Sequence, residues 1–207
     1  MLEQVLDFTP ETLSNDQKLE IATALLQGNG VPSNAKLGLR ILEEMAEANV
    51  AEAFSALVNH YFSKAPEKAY YYAMKLGKAK QRASTSFLDQ LEAKISFDKV
   101  LELQSRNLIN RLDGKSLLSS VYFIEQAKSY YRGLGAERSY LSSYYWASLA
   151  SASGARQGEM ILANLHNLAR NLSATEFEIW LNAIASVEKL TLDDWLAFKI
   201  AERINTE

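Results

Sequence analysis

Residues 126–154 read QAKSYYRGLGAERSYLSSYYWASLASASG, and small side chains recur through them at Ala127, Gly133, Gly135, Ser143, Ala150, Ser151 and Gly154. These positions fall where two short helices joined by a tight turn must approach each other closely. Glycine tolerates the left-handed backbone in which helices commonly end, so Gly133-Leu134-Gly135 is expected to stop one helix and start its return partner. The stretch predicts a helical hairpin.

The same pattern lies upstream. A shift of 105 residues, without a gap, places Gly28 on Gly133, Gly30 on Gly135, Glu20 on Glu125, Ala22 on Ala127, Leu57 on Leu162 and Asn59 on Asn164. Where identity is lost the size class is kept: Gly38 meets Ser143, Ile41 meets Trp146, Ala46 meets Ser151 and Ala53 meets Gly158. An offset of 105 is about three units of 35, and Ala69, Tyr72, Ala73 and Leu76 supply a degenerate unit between the two good ones. Each hairpin has an apolar face that it cannot bury alone, and stacked neighbours complete the core. Small residues set the helix separation, and Ile41, Tyr72 and Trp146 are expected to fill the gap.

Composition agrees with an all-α chain. Of 207 residues only three are proline and nine glycine, and the abundant Ala, Leu, Glu and Lys favour helix. Helices are expected over 35–48, 51–62, 67–80, 82–95, 97–112, 116–132, 139–153 and 155–171. One precedes them, with Thr9 as a candidate cap and Pro10 at its first turn, and stops at Gly28. Ser173 with Glu176 has capping-box form, and Thr191 with Asp194 is expected to begin a separate last helix carrying Trp195 and Phe198 to Ile204. Residues 1–16 read as a lead and cap, 17–112 as a first half and 113–207 as a second half ending in a capping helix, the whole forming one continuous solenoid. The turn signal LDGKS, 112–116, divides the halves.

The pattern of Gly-x-Gly, small residue, aromatic, small pair, glycine and small residue resembles the Sel-one-like repeat (SLR), a relative of the tetratricopeptide repeat (TPR). Its fullest instance is Gly133, Gly135, Ser143, Trp146, Ala150, Ser151, Gly154 and Gly158. The earlier instance runs through Gly28, Gly30, Val31, Gly38, Ile41, Met45, Ala46 and Ala53, departs from the pattern at Ile41 and Met45, and has Asn49 at the family's glycine position. Asparagine also enters the left-handed region. The resemblance covers 17–62 and 122–166 well and 63–95 weakly. It implies a right-handed α-solenoid of antiparallel hairpins and a non-enzymatic adaptor or scaffold that binds a peptide or helix of a partner on a concave helical surface. It also allows an alternative, a structural component of the bacterial envelope or flagellar motor.

Several function classes lack their residues. With 22 Lys and Arg against 25 Asp and Glu, the net charge is −3 and offers no basic surface to a nucleic acid. No cysteine is present, so no disulfide, thiolate metal site or cysteine nucleophile is available. His60 and His166 lack further ligands at helical spacing, and no nucleophile-elbow or phosphate-loop glycine pattern occurs. No catalytic residue, metal or cofactor is implied. No run is long and apolar enough for a membrane span, and the acidic start lacks a signal-peptide pattern. The expected location is cytoplasmic, or periplasmic where an export signal has been removed.

The candidate contact residues come from what the architecture leaves over. Asn59 and Asn164 lie on the helix that in this architecture lines the concave surface, and an amide there both donates to and accepts from a peptide backbone. Tyr70-Tyr71-Tyr72 and Tyr144-Tyr145-Trp146 are aromatic runs whose members stand ~100° apart on a helix. Tyr72 and Trp146 read as core, so some of Tyr70, Tyr71, Tyr144 and Tyr145 are expected to be exposed for partner contact or to pack on a neighbouring repeat, with Tyr71, Tyr144 and Tyr145 as the candidate contact residues. The last helix either caps the end of the stack or docks a partner or second copy.

Overall fold

The computed structural model describes residues 13–79, 83–105, 111–112 and 119–204. The described residues form helices and connections without strands: α1 (Asn15–Gln27), α2 (Ala35–Glu47), α3 (Ala51–Tyr61), α4 (Pro66–Lys78), α5 (Ala83–Glu92), α6 (Phe97–Ser105), α7 (Ser120–Arg132), α8 (Tyr140–Ala152), α9 (Arg156–Leu168), a 3-10 turn (Ala169–Asn171) and α10 (Ala174–Ile204). They group into two compact units, residues 1–76 and 77–207, divided within α4. The expected division at 112–116 lies, apart from Leu112, outside the described residues, as do the candidate cap Thr9 and Pro10.

In the first unit α1 begins at a capping box. The Ser14 hydroxyl accepts from the Gln17 N–H at 3.3 Å while the Gln17 side chain accepts from the Ser14 N–H at 2.9 Å. The helix ends at Gly28, which is left-handed at φ 73°. The N–H groups of Gly28 and Asn29 both return to the Ala24 carbonyl, at 2.8 and 3.2 Å, which satisfies a carbonyl the helix end would otherwise leave open. Asn34 then ties the hairpin: its N–H reaches the Leu25 carbonyl at 2.9 Å, and its side chain caps α2 by accepting from Leu37. Gly38 makes the crossing possible, because a Cβ there would stand 2.8 Å from the Ala22 carbonyl oxygen. Asn49, at φ 60°, takes the left-handed position between α2 and α3.

The second unit repeats the bonds of the hairpin turn. The 105-residue offset carries the ends of α1 onto those of α7, and the ends of α2 onto those of α8. Ser119 caps α7 as Ser14 caps α1. Gly133 is left-handed at φ 64°, and it and Leu134 return to the Ser129 carbonyl at 2.9 and 3.2 Å. The Ser139 N–H donates to the Tyr130 carbonyl at 3.0 Å, and the Ser139 side chain caps α8. Ser143 replaces Gly38, and its hydroxyl donates to the Ala127 carbonyl at 2.9 Å, the equivalent of the carbonyl that crowds Gly38. Gly154, at φ 80°, stands where Asn49 does. Within each unit successive hairpin helices pack side by side, the arrangement expected of SLR-type and TPR-like repeats.

The cores show one difference from expectation. Trp146 is buried and stacks on Phe123 at 5.9 Å. In the first aromatic run the deep member is Tyr70, fully buried with Ala69, Ala73 and Met74. Tyr72 is half-buried and stacks on Tyr61 at 6.1 Å; burial, with Glu43 nearby, pushes its phenol up to about 12. Tyr70 shares the inward face because it lies three and four residues from Ala73 and Met74, the helical repeat distance.

The two turns differ in their cover. In the first unit the turn is exposed from Gln27 through Lys36. In the second, the end of α4 and α5 sit on it. The Gly135 N–H donates to the Gly77 carbonyl at 2.9 Å, and the Ser84 hydroxyl donates to the Gly133 carbonyl at 3.4 Å. Arg138 is buried there, with Nη1 at 2.7 Å from Asp89 Oδ1 and 3.1 Å from Glu92 Oε1, and Nη2 on the Arg132 carbonyl at 3.2 Å. Tyr140 donates its hydroxyl to the same Glu92; burial first, then that carboxylate, raises its phenol well above the ordinary range.

Gly77 carries this docking. A Cβ there would overlap the Gly133 carbonyl oxygen, whereas nothing stands within 4 Å of a Cβ on Gly154. Gly77→Ala is expected to lose about 2–3 kcal/mol even though alanine is the better helix former. Gly154→Ala, strained only by its positive φ, is expected to lose about 1 kcal/mol. Urea midpoints of the two variants check the order.

Candidate functional site

In the first unit α1 packs on α2 and α2 on α3, while α1 and α3 meet only sparsely. A groove of about 580 Å³ opens between α1 and α3. Leu19, Thr23, Leu26 and Gln27 line it from α1, and Glu52, Ser55, Ala56, Asn59 and His60 from α3. The Thr23 hydroxyl donates back to the Leu19 carbonyl at 2.8 Å, so its proton is already used within its own helix. Leu19, Leu26 and Ala56 make the groove partly apolar, and the other side chains add donors and acceptors. Asn59 is exposed, and its amide makes no hydrogen bond among the described residues. His60 titrates below its ordinary value because of burial and then the nearby Lys64 charge, so its ring is neutral at neutral pH and both donates and accepts.

The matched face of the second unit has different chemistry. Lys128 and Gln157 replace Thr23 and Glu52, and Lys128 Nζ donates to Gln157 Oε1 at 2.7 Å, bridging α7 and α9. Met160, 59% exposed, and Leu165, buried, replace Ser55 and His60. Asn164 is exposed on α9 as Asn59 is on α3. The repeat thus brings both asparagines to the same helical position, and the groove in the first unit contains Asn59.

The tyrosines divide. Tyr71 is 40% exposed, with Lys75 Nζ 5.4 Å from its ring centre. Tyr144 and Tyr145 are reassigned from contact surface to packing, since both are buried. Tyr144 donates to Glu188 Oε1 at 2.7 Å and meets the His166 ring edge-on at 5.7 Å. Tyr145 donates to Asp194 and accepts from the Leu112 N–H at 3.2 Å. Burial first, then these carboxylates, raises both phenols. Their 105-residue counterparts are Leu39 and Arg40, so their burial belongs to α10, an element outside the repeat. A signal was present in α8 itself: YLSSYYWASLASA is apolar or small on every side, the pattern of a helix enclosed all round.

That cover is one helix of 31 residues rather than two. Ser173 and Glu176 form the expected capping box, with the Ser173 N–H on Glu176 Oε2 at 2.9 Å and the Glu176 N–H on Ser173 Oγ at 3.4 Å. Thr191 does not cap a new helix; it is buried, and its hydroxyl donates to the Val187 carbonyl at 2.7 Å within the continuing one. Trp180, Ile184 and Val187 are buried on the same side. Arg111 clamps Asp194 through Nε at 3.1 Å and Nη2 at 2.6 Å.

No family model matches the chain, and no curated protein matches it. A solved structure, a protective antigen present in uropathogenic Escherichia coli strains displaying an SLR fold, aligns with 91% of this chain at 18% identity and a TM-score of 0.34. This chain spans 39% of that protein. Among the described residues no helix is long and apolar enough to cross a membrane.

The Asp194 carboxyl is subject to opposing effects. Burial alone would raise it, and the hydrogen bonds from Arg111 and Tyr145 outweigh that and hold it below its ordinary value. A depressed folded-state value stabilises the fold at neutral pH, and the contribution is lost as pH falls below 3.8 and through the folded value. Asp194→Asn is expected to lose about 1–2 kcal/mol at pH 7, with the gap to the parent closing on acidification. Thermal unfolding followed from pH 7 to pH 3 checks this.

Proposed function

We propose that the chain is a non-enzymatic protein-interaction module, and that the α1–α3 groove receives an extended peptide or a helix from a partner protein. The observation that carries this reading is the groove of about 580 Å³ with an apolar part beside the exposed, unbonded amide of Asn59. An apolar side chain fits against Leu19, Leu26 and Ala56, while the Asn59 amide and the neutral His60 ring hydrogen-bond the peptide backbone. This division between apolar contact and a few placed polar groups is what a recognition groove needs. Asn164, at the matched position of α9, is the corresponding contact residue of the second unit. Tyr71 adds an exposed aromatic, a type of side chain favoured at interfaces.

The test uses peptides selected for binding to the whole chain from a random displayed library. Ala56→Arg, which fills the groove, is expected to abolish their binding, and Asn59→Ala to weaken it about 10-fold, the cost of about one hydrogen bond. Selected peptides that bind Ala56→Arg as they bind the parent would place recognition elsewhere and overturn the proposal.

A further inference from the structure

The α1–α3 groove is charged at one end. Among the residues that line it Glu52 alone carries a charge at neutral pH, because the His60 ring is neutral there. Glu52 is exposed in the first turn of α3. Asp16 and Glu20, also exposed, extend the Thr23–Gln27 row of α1 toward the start of that helix, since positions 16, 20, 23 and 27 share one helix face. None of the three carboxylates has an ion-pair or hydrogen-bond partner among the described residues.

The cations of the first unit lie elsewhere. Lys18 falls with Ala22 and Leu25 on the flank of α1 that meets α2 at Gly38. Lys36 and Arg40 belong to α2, and Lys68 and Lys75 to α4, and neither helix lines the groove. Lys64, exposed, stands past the end of α3. The short turns on either side of α2 make α1 and α3 run the same way. The three carboxylates therefore gather where both helices start, and Lys64 stands at the far end.

We propose that the partner segment received by this groove is basic, a lysine or arginine whose head meets Glu52, with an apolar side chain beside it seated at Ala56 and Leu26. The inference rests on the groove reading above and adds the charge of its ligand. Leu19 lines the same end as Glu52 and gives the stem of the basic residue an apolar wall while its head stays in water, the way long basic side chains pack. Ala56 lies one turn, about 6 Å, from Glu52. Two residues of extended chain span about 7 Å and return to the same face, so the basic and apolar residues stand two positions apart. An acidic segment would instead meet three unpaired carboxylates at that end.

Peptides selected on the whole chain from a random displayed library, then sorted for loss of binding to Ala56→Arg, supply the probes. They are expected to carry a lysine or arginine two positions from an apolar residue. Glu52→Gln is expected to weaken them about 3- to 5-fold at low salt, the reach of an exposed ion pair, and less at high salt, where exposed charges are screened. Replacing the peptide's basic residue by norleucine, which keeps an apolar stem, is expected to cost the same factor, and Glu52→Gln to cost that neutral peptide nothing further. Selection on Glu52→Lys is expected to lose the preference for basic residues. Groove-dependent peptides that are neutral or acidic, or that bind Glu52→Gln as they bind the parent, overturn this inference and leave the groove reading standing. Peptides indifferent to Ala56→Arg overturn both.

Discussion

At the helix crossings of this chain backbone lies against backbone, and that approach sets where every larger side chain can go. At Gly38 the α2 backbone comes so near α1 that a Cβ would meet the Ala22 carbonyl oxygen at 2.8 Å. At Gly158 the same constraint holds α9 to α8, where a Cβ would stand 2.7 Å from the Ala147 carbonyl oxygen. Separations this short exclude larger side chains from the crossing and leave the bulky ones, Leu42, Leu57, Trp146 and Leu149, to fill the core beside it. Ser143 shows how a side chain is admitted: its hydroxyl turns the crowded carbonyl into a hydrogen-bond acceptor.

In each unit the returning helix of the hairpin has a neighbour on both sides, α2 between α1 and α3, and α8 between α7 and α9. That is why a groove forms between α1 and α3, and why the 105-residue repeat returns Asn164 to the position of Asn59. The repeat preserves backbone geometry more faithfully than surface chemistry. Thr23 and Glu52 leave their groove open, whereas Lys128 and Gln157 at the same positions bond across theirs. One backbone plan therefore supports two surfaces of different character.

The second unit differs because helices outside the repeat cover it. The end of α4 and α5 close over the Gly133 turn through Gly77 and the Arg138 cluster, while α10 closes over α8 through Glu188 and Asp194. In both places the buried phenols are paired. Tyr140, Tyr144 and Tyr145 each meet a carboxylate, which lets a tyrosine-rich helix be enclosed without leaving its hydroxyls unsatisfied.

The hairpins follow from local sequence. Left-handed residues, caps and small side chains act through contacts a few residues away or across one turn, so their spacing was sufficient to place Gly28 and Gly133, while the resemblance to the Sel-one-like repeat pointed to Asn49 and Gly154. The Ser14–Gln17 capping box is equally local, and its form stands in the sequence. The burial of Tyr70, Tyr144, Tyr145 and Thr191 is set over longer distances. Each depends on which distant element arrives to cover it, and α10 carries no repeat signature that announces its partner. A helix reads its own turns from local sequence, but a side chain's burial is set by whichever surface packs against it.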